Sequence, residues 1–333
     1  MTENVRHLGN DTPPQFPLGL GLMGMSDFYG PADETESLAT IHAALDAGIT
    51  LFDTADFYGS GHNEMLLARA LQGRRDQAFI QVKFGVLRDP AGGFLGGDWR
   101  PASIKNALAQ SLRRLGTDYI DLYQPARMPH DVPIDDWMGA LGDCVQAGWI
   151  RHIGLSEAGS STIQAAHKIH PITGIQQEWS LMSRSIEGAV LPACRDLGIG
   201  ITAYGVLSRG LLSGQIDANT LAGRREFRTM APRFSGANLA KNLSLTEALA
   251  RLARSRGCTT AQLAIAWALH KGPDVLPLIG ARRRDHLNEA LGALDIQLDA
   301  DEIAEIEAAV PVSAVAGARY DDHGMQMLDS ERG

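Results

Sequence analysis

Leu51–Glu64, LFDTADFYGSGHNE, opens as a short apolar run, carries an acid at Asp53, and breaks into a polar, glycine-bearing loop that holds Tyr58. A run of this kind, closed by turn residues, reads as a buried strand feeding a loop. Further on, the apolar run AFIQVKFG carries one lysine, Lys83. Successive strand-and-loop units therefore deliver an acid, a phenol and an ammonium group. That trio points to a proton-donating site.

Working outward, the same alternation covers most of the chain. FPLGLGLMGM (16–25) reads as a glycine-rich strand, and Asp33–Gly48 as a helix with acids in its first turn and a glycine stop. The strand ITLFDTA, a helix over His62–Leu71, the strand AFIQVKFG, the helix Pro101–Leu115 and the strand YIDLYQPA follow. Pro133–Ala147, Ser161–Ile169 and Glu187–Leu197 are helical, interleaved with the strands HIGLSE, ITGIQQEWSL and IGITAYGVL. A longer irregular insertion, Ser208–Asn242, precedes a helical pair spanning Leu245–Ala268. The strand VLPLIGA, the helix Asp285–Leu294 and a C-terminal helix near Ala300–Ala309 complete the series. About eight strand–helix units without a long linker favour one parallel (β/α)8 barrel domain, a TIM barrel with its core at about 16–310 and an N-terminal extension. A doubly wound open sheet is the competing arrangement. GLGLMG does not fit the GxGxxG turn such a sheet requires.

The 333 residues, with 44% hydrophobic and 21% charged content, suit a globular protein with a substantial core. A net charge of −9 argues against nucleic acid or an anionic membrane as partner. Cys144, Cys194 and Cys258 have no metal-like spacing and fit a reducing compartment. No secretory signal and no membrane-spanning run is expected, so the reading is a cytoplasmic protein without a metal.

In a parallel barrel the site lies at the C-terminal ends of the strands, where Asp53, Lys83, Ser156, Gln176 and Tyr204 all fall. Alternation puts Ile49, Leu51 and Asp53 on one face, and Phe79, Gln81 and Lys83 on another. If both faces line the barrel, Asp53 and Lys83 meet inside its rim. A plain buried salt bridge is the alternative, since a lone buried charge is costly. Tyr58 tips the balance. A free phenol, with a pKa of about 10, is a poor acid at neutral pH, and a neighbouring cation such as Lys83 is expected to lower it.

At this point the chain resembles the aldo-keto reductase superfamily. The resemblance runs from about Leu18 to about Leu294 and is carried by LGLGLMGMSDFYG, LFDTADFYGSGHNE, QVKFG, LRRLGTDYIDLYQPAR, IGLSE, IQQEWSLMSR, ITAYGVLSRGLLSG, FRTMAPRFSGANLAKN and LIGARRRDHLNEAL. It is closest to the bacterial, plant and fungal branch with a long cofactor-covering loop. It implies bound NADPH and reduction of a small-molecule aldehyde or ketone, with Tyr58 as acid and Asp53 and Lys83 as its partners. The family histidine of DLYxxHR-like segments is replaced, because the chain reads DLYQPAR with Ala126. Either Ala126 widens the pocket, or Gln124 or His130 assumes part of the role. A cofactor-binding regulatory subunit with slow chemistry is the rival function, and an unrelated barrel lyase or isomerase a third.

The resemblance also assigns the cofactor residues. Ser156 and Gln176 match the groups that hold the nicotinamide carboxamide, and Trp179 the aromatic on which the ring stacks. Gly24, Met25 and Asp53 lie beside the cofactor. Tyr204, Gly205, Leu207, Arg209 and Gly210, in YGVLSRG, match the pyrophosphate loop. In GARRRDHLNEA, Gly280, Arg282, His286 and Glu289 match the adenosine site, with His286 and Ala290 replacing glutamine and asparagine. Arg282, beside Arg283 and Arg284, suits a 2′-phosphate and so favours NADPH over NADH. Phe28, Tyr29, Phe57, Trp99 and Met128 are expected at the substrate mouth. A monomer or weak homo-oligomer is expected.

Overall fold

The computed structural model describes residues 5–217, 220–221 and 226–332. In chain order the elements are β1 (Gly19–Gly21), α1 (Glu34–Asp46), β2 (Leu51–Ala55), α2 (His62–Ala70), β3 (Phe79–Phe84), β4 (Val86–Arg88), β5 (Phe94–Gly97), α3 (Pro101–Leu115), β6 (Ile120–Pro125), α4 (Ile134–Gln146) and β7 (Ile150–Ser156). There follow α5 (Ser160–Ile169), β8 (Gly174–Glu178), α6 (Val190–Asp196), β9 (Gly200–Tyr204), α7 (Gly236–Ser255), α8 (Thr260–Leu269), β10 (Val275–Ile279), α9 (Arg284–Leu291), α10 (Ala300–Ala309) and α11 (Asp322–Gln326). Eight strands close into a parallel barrel in the order β1-β10-β9-β8-β7-β6-β3-β2. The (β/α)8 expectation holds, and the open doubly wound sheet does not.

The helices start and stop where local chemistry directs. Asp33 caps α1 by accepting from the Glu36 amide at 3.0 Å, a contribution of about 1 kcal/mol. Thr259 with Gln262, and Asp299 with Glu302, form reciprocal capping boxes on α8 and α10. Helix α3 ends at Gly116 in the left-handed conformation.

Inside the barrel the inward faces of the strands stack in layers. Leu51, Phe79, Leu122, Leu276 and Leu278 pack around Leu8 of the N-terminal extension. A Cβ on Gly200 would lie 2.6 Å from the Leu8 Cα, so only glycine lets the two backbones approach. Above this apolar floor the inward positions turn polar: Asp53, Gln81, Gln124, Gln176 and Thr202, all buried. The register pairs Asp53 with Gln81, Lys83 with Gln124, and Ser156 with Gln176. A two-residue side-chain period therefore brings the polar residues of six strands to one end.

Three segments depart from expectation. The glycine-rich strand is short, because after Gly21 the chain enters a 3-10 turn at Met23–Met25. Helix α7 begins at Gly236, inside the stretch read as irregular. An unexpected antiparallel hairpin, β4–β5, folds over Trp99. A Cβ on either Gly85 or Gly97 would come within 2.1 Å of that indole, so the two glycines form a slot for the ring. No described helix is long and apolar enough to cross a membrane.

Candidate active site

The polar layer is organised around one carboxylate. Lys83 places Nζ 2.6 Å from both oxygens of Asp53. Gln176 donates to Asp53 Oδ1 at 2.7 Å and Gln81 at 3.2 Å, while Thr202 donates to Gln81 at 3.2 Å. Side chains of β3 and β8 thus converge on Asp53 of β2, and β9 supports them through Gln81. Burial lowers the pKa of Lys83, and Asp53 opposes that by favouring the ammonium. The inward faces read from the sequence meet as expected.

Tyr58 enters from the loop after β2. The next three residues, Gly59, Ser60 and Gly61, all have positive φ, a tight turn that swings the phenol back over the strand ends. The ring packs against Ala55, Phe57 and Ala126, with Met23, Phe28 and Val86 at the edge. Lys83 Nζ lies 5.2 Å from the ring centroid. The expected fall in the phenol's pKa is not found: burial pushes it well above its ordinary value and Asp53 adds to the rise. The cation that pulls hardest the other way is Arg127. In this closed, water-poor setting, removing the phenolate from water outweighs nearby positive charge. Tyr58 therefore keeps its proton.

Neither residue considered as a stand-in for the histidine faces the phenol's neighbourhood freely. Ala126 is buried and apolar. Gln124 lies one inward position below, fully buried, with no hydrogen bond to either carboxamide atom. His130 is on the exposed rim, 3.7 Å from Asp329.

The sequence reading missed a second charge cluster at the same end. Glu157 and Glu178, at the ends of β7 and β8, are buried. Arg319, from the segment after α10, donates to Glu157 at 3.0 and 2.9 Å and to Glu178 at 3.2 Å. Tyr204 and Ser330 also donate to Glu157, each at 2.7 Å. Burial would raise the pKa of Glu157, but Arg319 overcomes it and holds the carboxyl at about 2. Glu178 is likewise held low against burial by Arg209, Arg319 and Arg233. Tyr320 sets its hydroxyl 3.1 Å from that of Tyr204. Arg319 carried no periodic or motif signal; two acids at strand ends in LSE and QQE were the only hint that cations must come from elsewhere.

The cofactor assignments divide. Ser156 and Gln176 are neighbours on adjacent strands, facing the mouth, and among the described residues the Ser156 hydroxyl and the Gln176 carboxamide oxygen make no hydrogen bond. Trp179 is turned the other way. It is buried in the outer core, donates to Glu187 at 3.0 Å and meets Trp267 edge-on. It follows Glu178 past the strand end, so alternation carries it off the inward face; Tyr204 is the aromatic that reaches the mouth. Gly205 and Gly210 turn with positive φ, as does Arg209 between Leu207 and Gly210. Arg209 points inward, where it pairs with Glu178 at 2.9 Å and donates to the Arg319 carbonyl. Gly24 is open on its Cβ side except for the Tyr29 ring at 3.6 Å, whereas the Met25 side chain is core.

At the adenosine end the arginine cluster is split. Arg283 pairs with Asp285, and Arg284 with Glu36 at 2.9 Å. Among the described residues, Arg282 donates only to the carbonyls of Tyr29 and Pro31, at 3.1 and 3.2 Å. Gly280 has nothing within 4 Å of a built Cβ, and His286 and Glu289 lie half-exposed on α9. Of the expected pocket aromatics, Phe28 and Phe57 flank Tyr58 and Tyr29 lies 5.2 Å from Arg228. Trp99 and Met128 belong to the core.

The sequence profile of the Aldo/keto reductase family matches residues 17–311. Among solved structures, the chain is similar to the glycerol dehydrogenase AKR11B4 from Gluconobacter oxydans, with a TM-score of 0.84, 31% identity, and coverage of 94% of this chain and 97% of that one. It is also similar to the aldo-keto reductase AKR11C1 from Bacillus halodurans in its holo form (0.79, 29%, 96% and 99%). A thermostable aldo-keto reductase, Tm1743, in complex with the inhibitor epalrestat, matches at 0.74, 28%, 92% and 99%. Profile, barrel and neighbours agree: the chain belongs to the Aldo/keto reductase family, oxidoreductases acting on CH–OH and C=O groups.

Proposed function

We propose that this protein reduces an aldehyde or ketone to the alcohol with NADPH, Tyr58 giving the proton. The observation that carries the reading is a buried Tyr58 set beside the Lys83–Asp53 pair at the strand ends. Nicotinamide cofactor, when bound, supplies hydride. The residues fit that group: the Ser156 hydroxyl and Gln176 carbonyl, buried and without a hydrogen bond among the described residues, complement the donor and acceptor of a carboxamide, and the Tyr204 ring lies at the same mouth. Arg282, whose partners are neutral carbonyls, is the residue left for a 2′-phosphate.

The chain's own part is proton control. Tyr58 Oη gives its proton to the carbonyl oxygen as negative charge develops there. Lys83, over the ring, stabilises the phenolate that remains, and Asp53 holds Lys83 charged and fixed. Apolar packing by Phe57 and Ala126 keeps water from the phenol.

Ala126 favours a second reading, a cofactor-binding subunit with slow chemistry. A steady-state screen of aldehydes and ketones, with NADPH and NADH side by side, separates the two. Turnover above the uncatalysed rate, faster with NADPH, is expected. The relative named glycerol dehydrogenase makes polyol oxidation with NADP the reverse assay. Background rates for every compound in both directions would favour the subunit.

A further inference from the structure

The cations around the barrel mouth are nearly all matched. Lys83 pairs with Asp53, Arg209 and Arg233 with Glu178, and Arg319 with Glu157 and Glu331. Arg127, beside Tyr58, has no such direct partner among the described residues; Arg282, at the adenosine end, meets the neutral carbonyls of Tyr29 and Pro31. The Arg127 guanidinium is half-buried, donates to the carbonyl of Ala126 at 2.7 Å, and leans over the Tyr320 ring at 5.7 Å. Among the described residues no carboxylate lies within 4.0 Å of it. Burial opposes its charge, and Tyr320 with the more distant Glu157 offsets that cost, so the guanidinium stays charged while its direct carboxylate contact is left for an anion from outside.

Its position says which molecule brings the anion. Arg127 directly follows Ala126, which packs on Tyr58, and its charge acts on both Tyr58 and Lys83. The loop proposed for the pyrophosphate and Arg282 belong to other strand ends, after β9 and β10. The anion therefore belongs to the molecule whose carbonyl meets Tyr58. With alanine at 126 only a methyl group stands at the neighbouring position.

We propose that Arg127 anchors an anionic substituent of the substrate, a carboxylate or a phosphate, so that the enzyme's substrates are carbonyl compounds bearing a negative charge. The inference rests on the reductase reading above. A charge-assisted guanidinium contact is expected to favour the charged member of a matched pair by about 10- to 100-fold in kcat/KM.

Two matched pairs test it: 4-carboxybenzaldehyde against methyl 4-formylbenzoate, and glyceraldehyde 3-phosphate against glyceraldehyde. The anion is expected to win in at least one pair; which one distinguishes carboxylate from phosphate. In Arg127→Gln that ratio falls to near one, and Arg127→Lys keeps part of it. A ratio near one in the native enzyme for both pairs, or a full ratio in Arg127→Gln, overturns the proposal. A calorimetric arm needs neither cofactor nor turnover: benzoate or inorganic phosphate binds the native protein more tightly than Arg127→Gln, with benzamide as the neutral control. Equal binding by the two proteins overturns the anchor. If no aldehyde is reduced at all, the reductase reading fails while this binding arm still decides the role of Arg127.

Discussion

Arg319 and Glu157 share two hydrogen bonds, of 3.0 and 2.9 Å, across 162 residues of chain. The same guanidinium reaches Glu178 and Glu331, so one side chain fastens the last segment to the ends of two barrel strands. Arg319→Leu leaves buried Glu157 without its ion-pair partner, while Glu178 keeps Arg209 and Arg233, and is expected to destabilise the protein by about 3–5 kcal/mol. Urea unfolding followed by circular dichroism measures it; a loss below about 1 kcal/mol would show the cluster to be incidental.

Acid should undo the same contact. The folded pKa of Glu157, about 2, lies below the unfolded value of about 4.3. Its stabilising share is complete above pH 4.3 and disappears as pH falls through 2, a loss of about 3 kcal/mol. The stability difference between the native protein and Glu157→Gln is therefore expected to shrink across that window. A difference constant from pH 7 to 2 contradicts the assignment.

For Tyr58→Phe, turnover is expected to fall by about 100-fold or more, the usual contribution of a positioned acid. The phenyl ring keeps its packing against Phe57 and Ala126, so NADPH affinity, read by fluorescence titration, should hardly change. Native-like turnover in this variant would remove Tyr58 from the mechanism.

Asp53 and Lys83 should behave as a pair. Lys83→Met alone strands a buried carboxylate, and Asp53→Leu alone a buried ammonium, each at about 3–5 kcal/mol. The double variant leaves neither charge and should cost clearly less than the sum of the two. Strict additivity in the double-mutant cycle would show that the charges do not interact.

Trp179→Phe separates core from site. The change removes the indole hydrogen bond to Glu187 and part of the contact with Trp267, at about 1–3 kcal/mol. Cofactor affinity should stay as it is. A marked loss of NADPH binding without loss of stability would return Trp179 to the nicotinamide.

Most of the barrel was legible because its signals are local. Periodicity, glycine stops and acidic first turns mark the helices, and the two-residue period by itself puts Asp53 and Lys83 on facing inward positions. The hairpin over Trp99 was hidden because its two glycines look like loop residues until the ring lies between them. Trp179 was misplaced since one residue past a strand end reverses the face a side chain presents. The electrostatics of Tyr58 were misjudged for a related reason: sequence shows which charges are near, and not how much water is gone. Arg319 had no local signal at all, as its barrel partners lie at the ends of β7 and β8.

The long-range clasp also sets an order of events during synthesis. Glu157 and Glu178 leave the ribosome well over a hundred residues ahead of Arg319. Until that arginine arrives, Glu178 has Arg209 and Arg233 but Glu157 lacks its ion-pair partner and stays hydrated, so the mouth of the site is the last region able to dry out and set. Chaperone dwell time and protease sensitivity on stalled chains should therefore change abruptly once residue 319 is free of the exit tunnel.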